Sequence, residues 1–316
     1  MNHDLYNAYL YSLNQNKIPR FLQKYLKVPS LVRLKNIGYF CGMDYASKQV
    51  YDFKEKISRY DHSLTVALLT WKFTKDKKAT LAGLFHDVAT PCFAHVIDYM
   101  NQDYENQEST EVYTEEIIKN DILLQDCLAK DHISCEDIID FKKYSIVDNH
   151  RPRLCADRFD GIILTGIAWT KTLHKEDIVE MVSDLEVYEN EDSEKELGFR
   201  TESTALKALL TSNEIDQYCH SNEDNFMMEL LAEITRLAID QAVIQYKDLF
   251  YMDEVCLLRK MKDSNIKELK EKLDCFEHIT LDEIPVVELE NVKVRDLNPL
   301  VNGSRIKTIH YRESVI

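Results

Sequence analysis

His62, the adjacent pair His86-Asp87, and Asp157 are the residues of this chain whose side chains suit a divalent cation. Neutral imidazole and ionised carboxylate are the nitrogen and oxygen donors that such ions accept. A His-Asp dipeptide is common by chance, so its setting decides its weight. Leu81, Leu84 and Phe85 carry the spacing of one buried helical face. Residues 78–85 therefore predict an apolar helix whose last turn presents an imidazole and a carboxylate from a packed backbone. Just downstream, His95 and Asp98 stand at i, i+3 in a predicted helix over 93–98, on a face that can turn back toward His86. Asp98 has the chemistry to orient or deprotonate a water, and His95 to serve as an acid. A helix-surface pair, or support for the ligands, is the alternative for both. Arg59 precedes His62 closely and offers a guanidinium for bidentate phosphate contact.

Each candidate has a plainer reading. His62 stands at the entry of a predicted helix over 59–73, rich in Leu64, Val66, Ala67, Leu68, Leu69 and Trp71, where a His also serves as a cap or core residue. Asp157 and Asp160 lie in a strongly apolar helical stretch, 154–169. A carboxylate there must be paired or ligated, because burying a bare charge is costly. Arg153 and Arg158 are the nearby partners that would make Asp157 a salt bridge instead of a ligand.

The remaining elements have to position these groups. The chain has 316 residues, enough to bury a large core. Its 7 Gly and 6 Pro, with long stretches of helical period, predict a mainly α fold. A helical lead-in is expected over 1–50, a metal-binding core over 51–170, a helical scaffold over 171–278 and a small β-containing tail over 279–316. In the scaffold, 177–187, 204–215, 225–246 and 252–275 have helical character. In the core, 110–119 and 135–147 do. In the tail, 286–289 and 292–295 alternate as strands do, and Asn302-Gly303 is suited to turn a hairpin. The net charge of −16 argues against a nucleic-acid partner. Eight Cys without a CxxC pair, and no apolar run of membrane length, predict a cytoplasmic protein without a membrane partner, its thiols reduced and serving as small core residues.

Taken in order, His62, His86-Asp87 and Asp157 resemble the H…HD…D pattern of the HD-domain metal-dependent phosphohydrolases. The flanks resemble the deoxynucleoside triphosphate triphosphohydrolase-like branch. Arg59-Tyr60-Asp61-His62-Ser63-Leu64 is similar to its R-F-x-H-S-L segment, and Gly83-Leu84-Phe85-His86-Asp87 to G-L-L-H-D. The stretch from Pro91 to Asp98 is similar to G-P-F-S-H-x-x-D, and Ala156-Asp157-Arg158-Phe159-Asp160 to V-D-K-x-D. Pro29 to Ile37 and the tail from Val294 to Val301 resemble its P-x-x-x-R-L-x-x-I and V-R-x-x-D-P-x-V segments, with Asn298 at the Asp position of the second.

This resemblance implies a helical HD fold with one divalent ion (Mn, Mg, Fe, Ni or Zn) on His62, His86, Asp87 and Asp157. It implies a nucleotide or other phosphate ester as substrate, Arg59, Arg158 and Thr90 as substrate contacts, and a homo-oligomer. A nucleoside monophosphatase, a cyclic-nucleotide phosphodiesterase and a weakly catalytic nucleotide-binding protein are the alternatives. The chain departs from the pattern at Thr90 and Gln107, where the branch carries His, at Arg158, where it carries Lys, and at Gly161, where it carries an aromatic residue. Gln107 can hydrogen-bond a phosphate but cannot transfer a proton at neutral pH. Among the expected catalytic residues Asp98, His95 and Gln107, proton transfer therefore falls to the first two.

Overall fold

The structure, a computed structural model, describes residues 4–15, 17–102, 109–287 and 295–305. The described residues form fifteen helices and a small sheet. The lead-in holds α1 (Asp4–Asn14) and α2 (Pro29–Arg33), and the first long core helices are α3 (Arg59–Thr74) and α4 (Lys77–Phe85). Four short helices follow: α5 (Val96–Met100), α6 (Thr114–Asn120), α7 (Ile122–Asp131) and α8 (Glu136–Ile139). Then come α9 (Ala156–Ala168), α10 (Lys175–Asp184), the strands β1 (Leu185–Glu189) and β2 (Lys195–Phe199), and α11 (Glu202–Cys219). The chain continues through α12 (Asn222–Asp240), α13 (Asp248–Tyr251), α14 (Glu254–Asp263) and α15 (Lys267–His278) to β3 (Leu300–Val301) and β4 (Ser304–Arg305). The expected fold class, mainly α with a small β part, holds.

Helix α3 is the hub. Residues 62–70 are buried without interruption, and α1, α4 and α9 all pack against it. Its polar residues are made compatible with burial locally. Thr65 and Thr70 donate their hydroxyls to the Asp61 and Val66 carbonyls, at 2.8 and 2.9 Å. The start of α3 is fixed by a reciprocal cap: the Ser58 hydroxyl accepts the Asp61 N–H, and the Asp61 carboxylate accepts the Ser58 N–H. Helix α4 begins at Asp76, whose side chain accepts the Lys78 and Ala79 N–H groups. It follows α3 through Lys75, in the left-handed region at φ 54°.

The sheet has strand order β1-β2-β3-β4. β1 and β2 are antiparallel, β2 and β3 parallel, and β3 and β4 form a hairpin. Asn302 and Gly303 make that turn with φ of 49° and 79°, as the sequence suggested. The tail is tied in by Arg305, which grips the fully buried Glu196 at 2.7 and 2.6 Å. Glu196 also accepts the Leu154 N–H at 3.1 Å, just ahead of α9.

Several expectations change. Residues 185–189 form a strand and not the end of a helix, because β2 is available across an acidic turn to pair with them. Residues 135–147 break into α8 and a 3-10 turn. Helix α12 ends at Asp240, before Tyr246, and 252–275 divides into α14 and α15. In 93–98 the helix begins only at Val96, because Phe93 and Ala94 are left-handed, at φ 65° and 44°. Cys256 and Cys275 are exposed, not core. Of the two expected tail strands, 288–294 lies outside the described residues, and Val286 is 86% exposed. No helix among the described residues is long and apolar enough to cross a membrane.

The left-handed pair is held by α14. Glu254, fully buried, accepts the Phe93 N–H and the Gly38 N–H, each at 3.0 Å. Left-handed backbone is sparsely populated for Phe and Ala and persists only where the surroundings enforce it. Glu254→Ala leaves two buried N–H groups without an acceptor, at about 1–3 kcal/mol each. Urea unfolding is expected to show a loss of roughly 2–6 kcal/mol in stability.

Candidate metal centre

Three helix ends bring the expected ligands together. His62 is in the first turn of α3, His86 and Asp87 directly follow α4, and Asp157 is in the first turn of α9. The His62 Nε2 lies 3.0 Å from Asp157 Oδ1 and 3.7 Å from Asp87 Oδ2. The His86 Nε2 lies 3.4 Å from Asp157 Oδ1 and 3.7 Å from Asp87 Oδ1. Ligand atoms of His62, His86 and Asp87 fall within 4.8 Å of one another. Asp157 is not in the salt bridge that competed with the ligand reading. Arg153 pairs with Asp192 and Glu194, and Arg158 lies against Asp148 and Asn149.

Hydrogen bonds on the far side of each ring fix its tautomer. The His86 Nδ1 donates to the Gly83 carbonyl at 2.8 Å, which can only accept. The His62 Nδ1 faces Asp160 Oδ2 at 2.7 Å, and the other Asp160 oxygen accepts the Tyr9 hydroxyl at 2.7 Å. Each ring thus turns its Nε2 toward the carboxylates, as an N–H when the ring is protonated and as a lone pair when it is neutral. The His86 Nε2 is buried and has no hydrogen-bond partner among the described residues. An orphaned imidazole nitrogen beside a second one and two carboxylates is the donor set of a divalent cation. The residues present fit such an ion.

The electrostatics agree. Burial alone would depress the His62 pKa, but hydrogen bonds to Asp157 and Asp160 outweigh it and carry it up to about 10. Burial opposes ionisation of Asp87, yet His86, Arg59 and His62 hold its carboxyl well below the usual range. Asp157 is likewise held low, by both imidazoles against its burial. Without an ion, protons on the imidazoles offset the carboxylates.

The cluster opens into a cavity of about 750 Å³, within the range of small-molecule sites. Arg59, Thr90, His95 and Arg158 line it, as do Lys142, Lys143, His150 and Arg151. Arg59 donates from one nitrogen to Asp87 at 2.8 Å and lies over the Tyr39 ring, so it orients that carboxylate. Arg158 is held by Asn149 and by the Arg153 carbonyl. The Thr90 carbonyl accepts from Arg33. His95 is about one-third exposed, and its Nδ1 meets Asp98 at 2.9 Å. Asp98 itself differs from expectation. Its carboxylate is fully buried behind His95 and also accepts the Ser109 N–H, so it holds the ring and does not face the cavity. Gln107 lies outside the described residues.

Sequence reasoning flagged Asp160 as embedded but gave it no role; its place three residues after Asp157 was the available signal. Tyr9 and Tyr39 arrive from distant parts of the chain and carried none. Tyr39 explains one departure. Its hydroxyl lies 3.1 Å from where a side chain at Gly161 would begin, so an aromatic ring from 39 borders the space that an aromatic at 161 would enter.

Residues 59–144 match the HD domain family. Over 146 residues the chain is 29% identical to the uncharacterized protein YdhJ of Bacillus subtilis (strain 168), a stretch covering 46% of this chain and 43% of that protein. The chain thus spans less than half the length of this relative. Residues 59–144 are thus similar to the HD domain, a domain type that binds a divalent metal ion, and the match leaves the specific reaction open.

Outer partners of a ligating His are typically worth ~10–100-fold in metal affinity. Asp160→Asn is expected to weaken metal binding by about that factor, read by chelator competition, while His62, His86, Asp87 and Asp157 stay in place. The pH trend has a definite sign. The raised His62 pKa stabilises the metal-free fold fully below about 6.5, and that contribution is lost as pH rises through about 10. Metal uptake needs neutral imidazole, so it releases protons and tightens as pH rises. Melting curves from pH 6 to 9 should therefore show metal-induced stabilisation growing with pH.

Proposed function

We propose that this protein hydrolyses a nucleotide, with the phosphate at the His62, His86, Asp87 and Asp157 cluster and the nucleoside in the rest of the cavity. One observation carries the reading: a single cavity joins a divalent-cation donor set to basic side chains and to the aromatic walls Tyr39, Phe40 and Trp169. A cation bound there lowers the pKa of a water and offsets charge on phosphoryl oxygens.

The chain's own residues then have separable tasks. Arg59 orients Asp87 and keeps it ionised. Asp160 and the Gly83 carbonyl keep both imidazoles aimed. Arg151 and the Lys142-Lys143 pair attract and hold phosphate oxygens. His95, steadied by Asp98, gives or takes the proton at the cavity wall, and Asp98 is a positioning residue. Gln107 can add a neutral hydrogen bond to a phosphate, so turnover of deoxynucleoside triphosphates is expected to be slow, with binding less affected than rate. Assembly as a homo-oligomer belongs to the same reading and is open to sedimentation analysis.

The test is a hydrolysis screen across nucleoside mono-, di- and triphosphates and cyclic nucleotides with metal-loaded protein. His86→Ala and Asp157→Asn should lose bound metal, lower turnover by a factor on the order of 10²–10⁴, and lose the metal-induced rise in melting temperature. Full activity in Asp157→Asn would sink the assignment. Turnover confined to monophosphates or cyclic nucleotides would keep the metal centre and move the reaction.

A further inference from the structure

Away from the cluster, the cavity contains a carboxylate that chemistry at the metal does not use. Walls from α11, α12 and the segment around Phe40 meet there. Phe40 and Trp169 contribute rings, Ile215 and Met228 apolar surface, and Asp224 a carboxylate. Asp224 is 8% exposed. Its Oδ1 accepts the Tyr51 hydroxyl at 2.6 Å, and its Oδ2 has no hydrogen-bond partner among the described residues.

Tyr51 makes this a built site. Its ring stacks on Phe53 at 5.5 Å and packs against Trp169 at 5.9 Å, so the hydroxyl that holds Oδ1 is itself fixed. That fixes the second oxygen as well. Burial pushes the Asp224 carboxyl up to about 6, against the Tyr51 bond and the charge of Arg295, so at neutral pH it remains largely ionised. Asp224 lines the cavity, so its second oxygen is placed to accept an N–H or O–H from a molecule bound there. Phe40 and Trp169 line the cavity as well, offering apolar aromatic surface to a bound molecule.

We propose that this end of the cavity binds a nucleobase through an exocyclic amine, favouring adenine, cytosine and guanine over thymine and uracil. The ring lies among Phe40, Trp169 and the aliphatic side chains, and the amine donates to Asp224 Oδ2. The inference rests on the nucleotide reading above. A 4-oxo group at the same place sets a carbonyl oxygen against a carboxylate oxygen. Two acceptors then meet with no proton between them. A hydrogen bond to a charged group is worth a discrimination of roughly 10–100-fold.

Cytidine and uridine nucleotides of matched sugar and phosphate number isolate that one group. Wild-type protein is expected to favour the cytidine member by ~10–100-fold in kcat/KM and in equilibrium binding. In Asp224→Asn the amide oxygen can still accept from Tyr51 while the NH2 faces the cavity. The preference should then fall to near one or invert toward uridine, with metal content unchanged. Should that variant fail to fold, Tyr51→Phe releases the carboxylate from its fixed orientation and is expected to cut the preference several-fold. A wild-type ratio near one, a ratio unmoved by Asp224→Asn, or binding of neither nucleotide overturns the inference. Preferential cytidine binding without hydrolysis of any substrate would uphold it and sink the phosphohydrolase reading; hydrolysis without base preference would do the reverse.

Discussion

The hydrogen bond between His62 Nδ1 and Asp160 at 2.7 Å is the constraint that the rest of the centre depends on. It joins α3 to α9 inside the core, where both residues are almost fully buried. A bare carboxylate at that depth would be prohibitively costly. Asp160 is tolerable because His62 and Tyr9 each give it a proton to share. The same bond decides which His62 nitrogen faces the cavity. One interaction thereby stabilises a helix contact and sets the ligand geometry, which is why the two tasks cannot be separated in this fold.

A second constraint follows from charge. Asp87, Asp157 and Asp160 converge within one small volume, and like charges so close repel strongly at low dielectric. The structure distributes the compensation unevenly. Arg59 is a fixed positive charge beside Asp87, held against Tyr39 and therefore not free to swing away. The two imidazoles are variable, since they can give up their protons. A cation can displace those protons without disturbing Arg59, so the site exchanges proton for metal while its frame keeps its charge balance.

Legibility in the sequence tracked chemistry closely and topology poorly. His62, His86, Asp87 and Asp157 were readable because side-chain type and apolar helical context are local properties, and the helices that carry them form near the expected limits. The Asn302-Gly303 hairpin was readable for the same reason: its left-handed turn is written in two adjacent residues. Residues 185–189 were not, because their helical period is overridden by pairing with β2, a partner that local pattern cannot reveal. Asp98 shows the same limit at a candidate site position. Its i, i+3 spacing from His95 was visible, but which of the two faces the cavity depends on the left-handed turn at Phe93-Ala94, imposed from α14 by Glu254.

The acidic composition is compatible with the proposed anionic substrate through locality. A net charge of −16 sets the long-range field, but salt screens that field beyond about 8–10 Å. Within the cavity the near charges dominate, and Lys142, Lys143, Arg151 and Arg158 share its lining with the metal-binding cluster. Much of the acid elsewhere is already spoken for in ion pairs on the outer surface, such as Arg153 with Asp192 and Glu194, and Lys207 with Asp177 and Glu180. A broad nucleic-acid surface needs basic side chains spread over an extended face. Here a few of them line one cavity of about 750 Å³, a distribution compatible with the small phosphate ester proposed above.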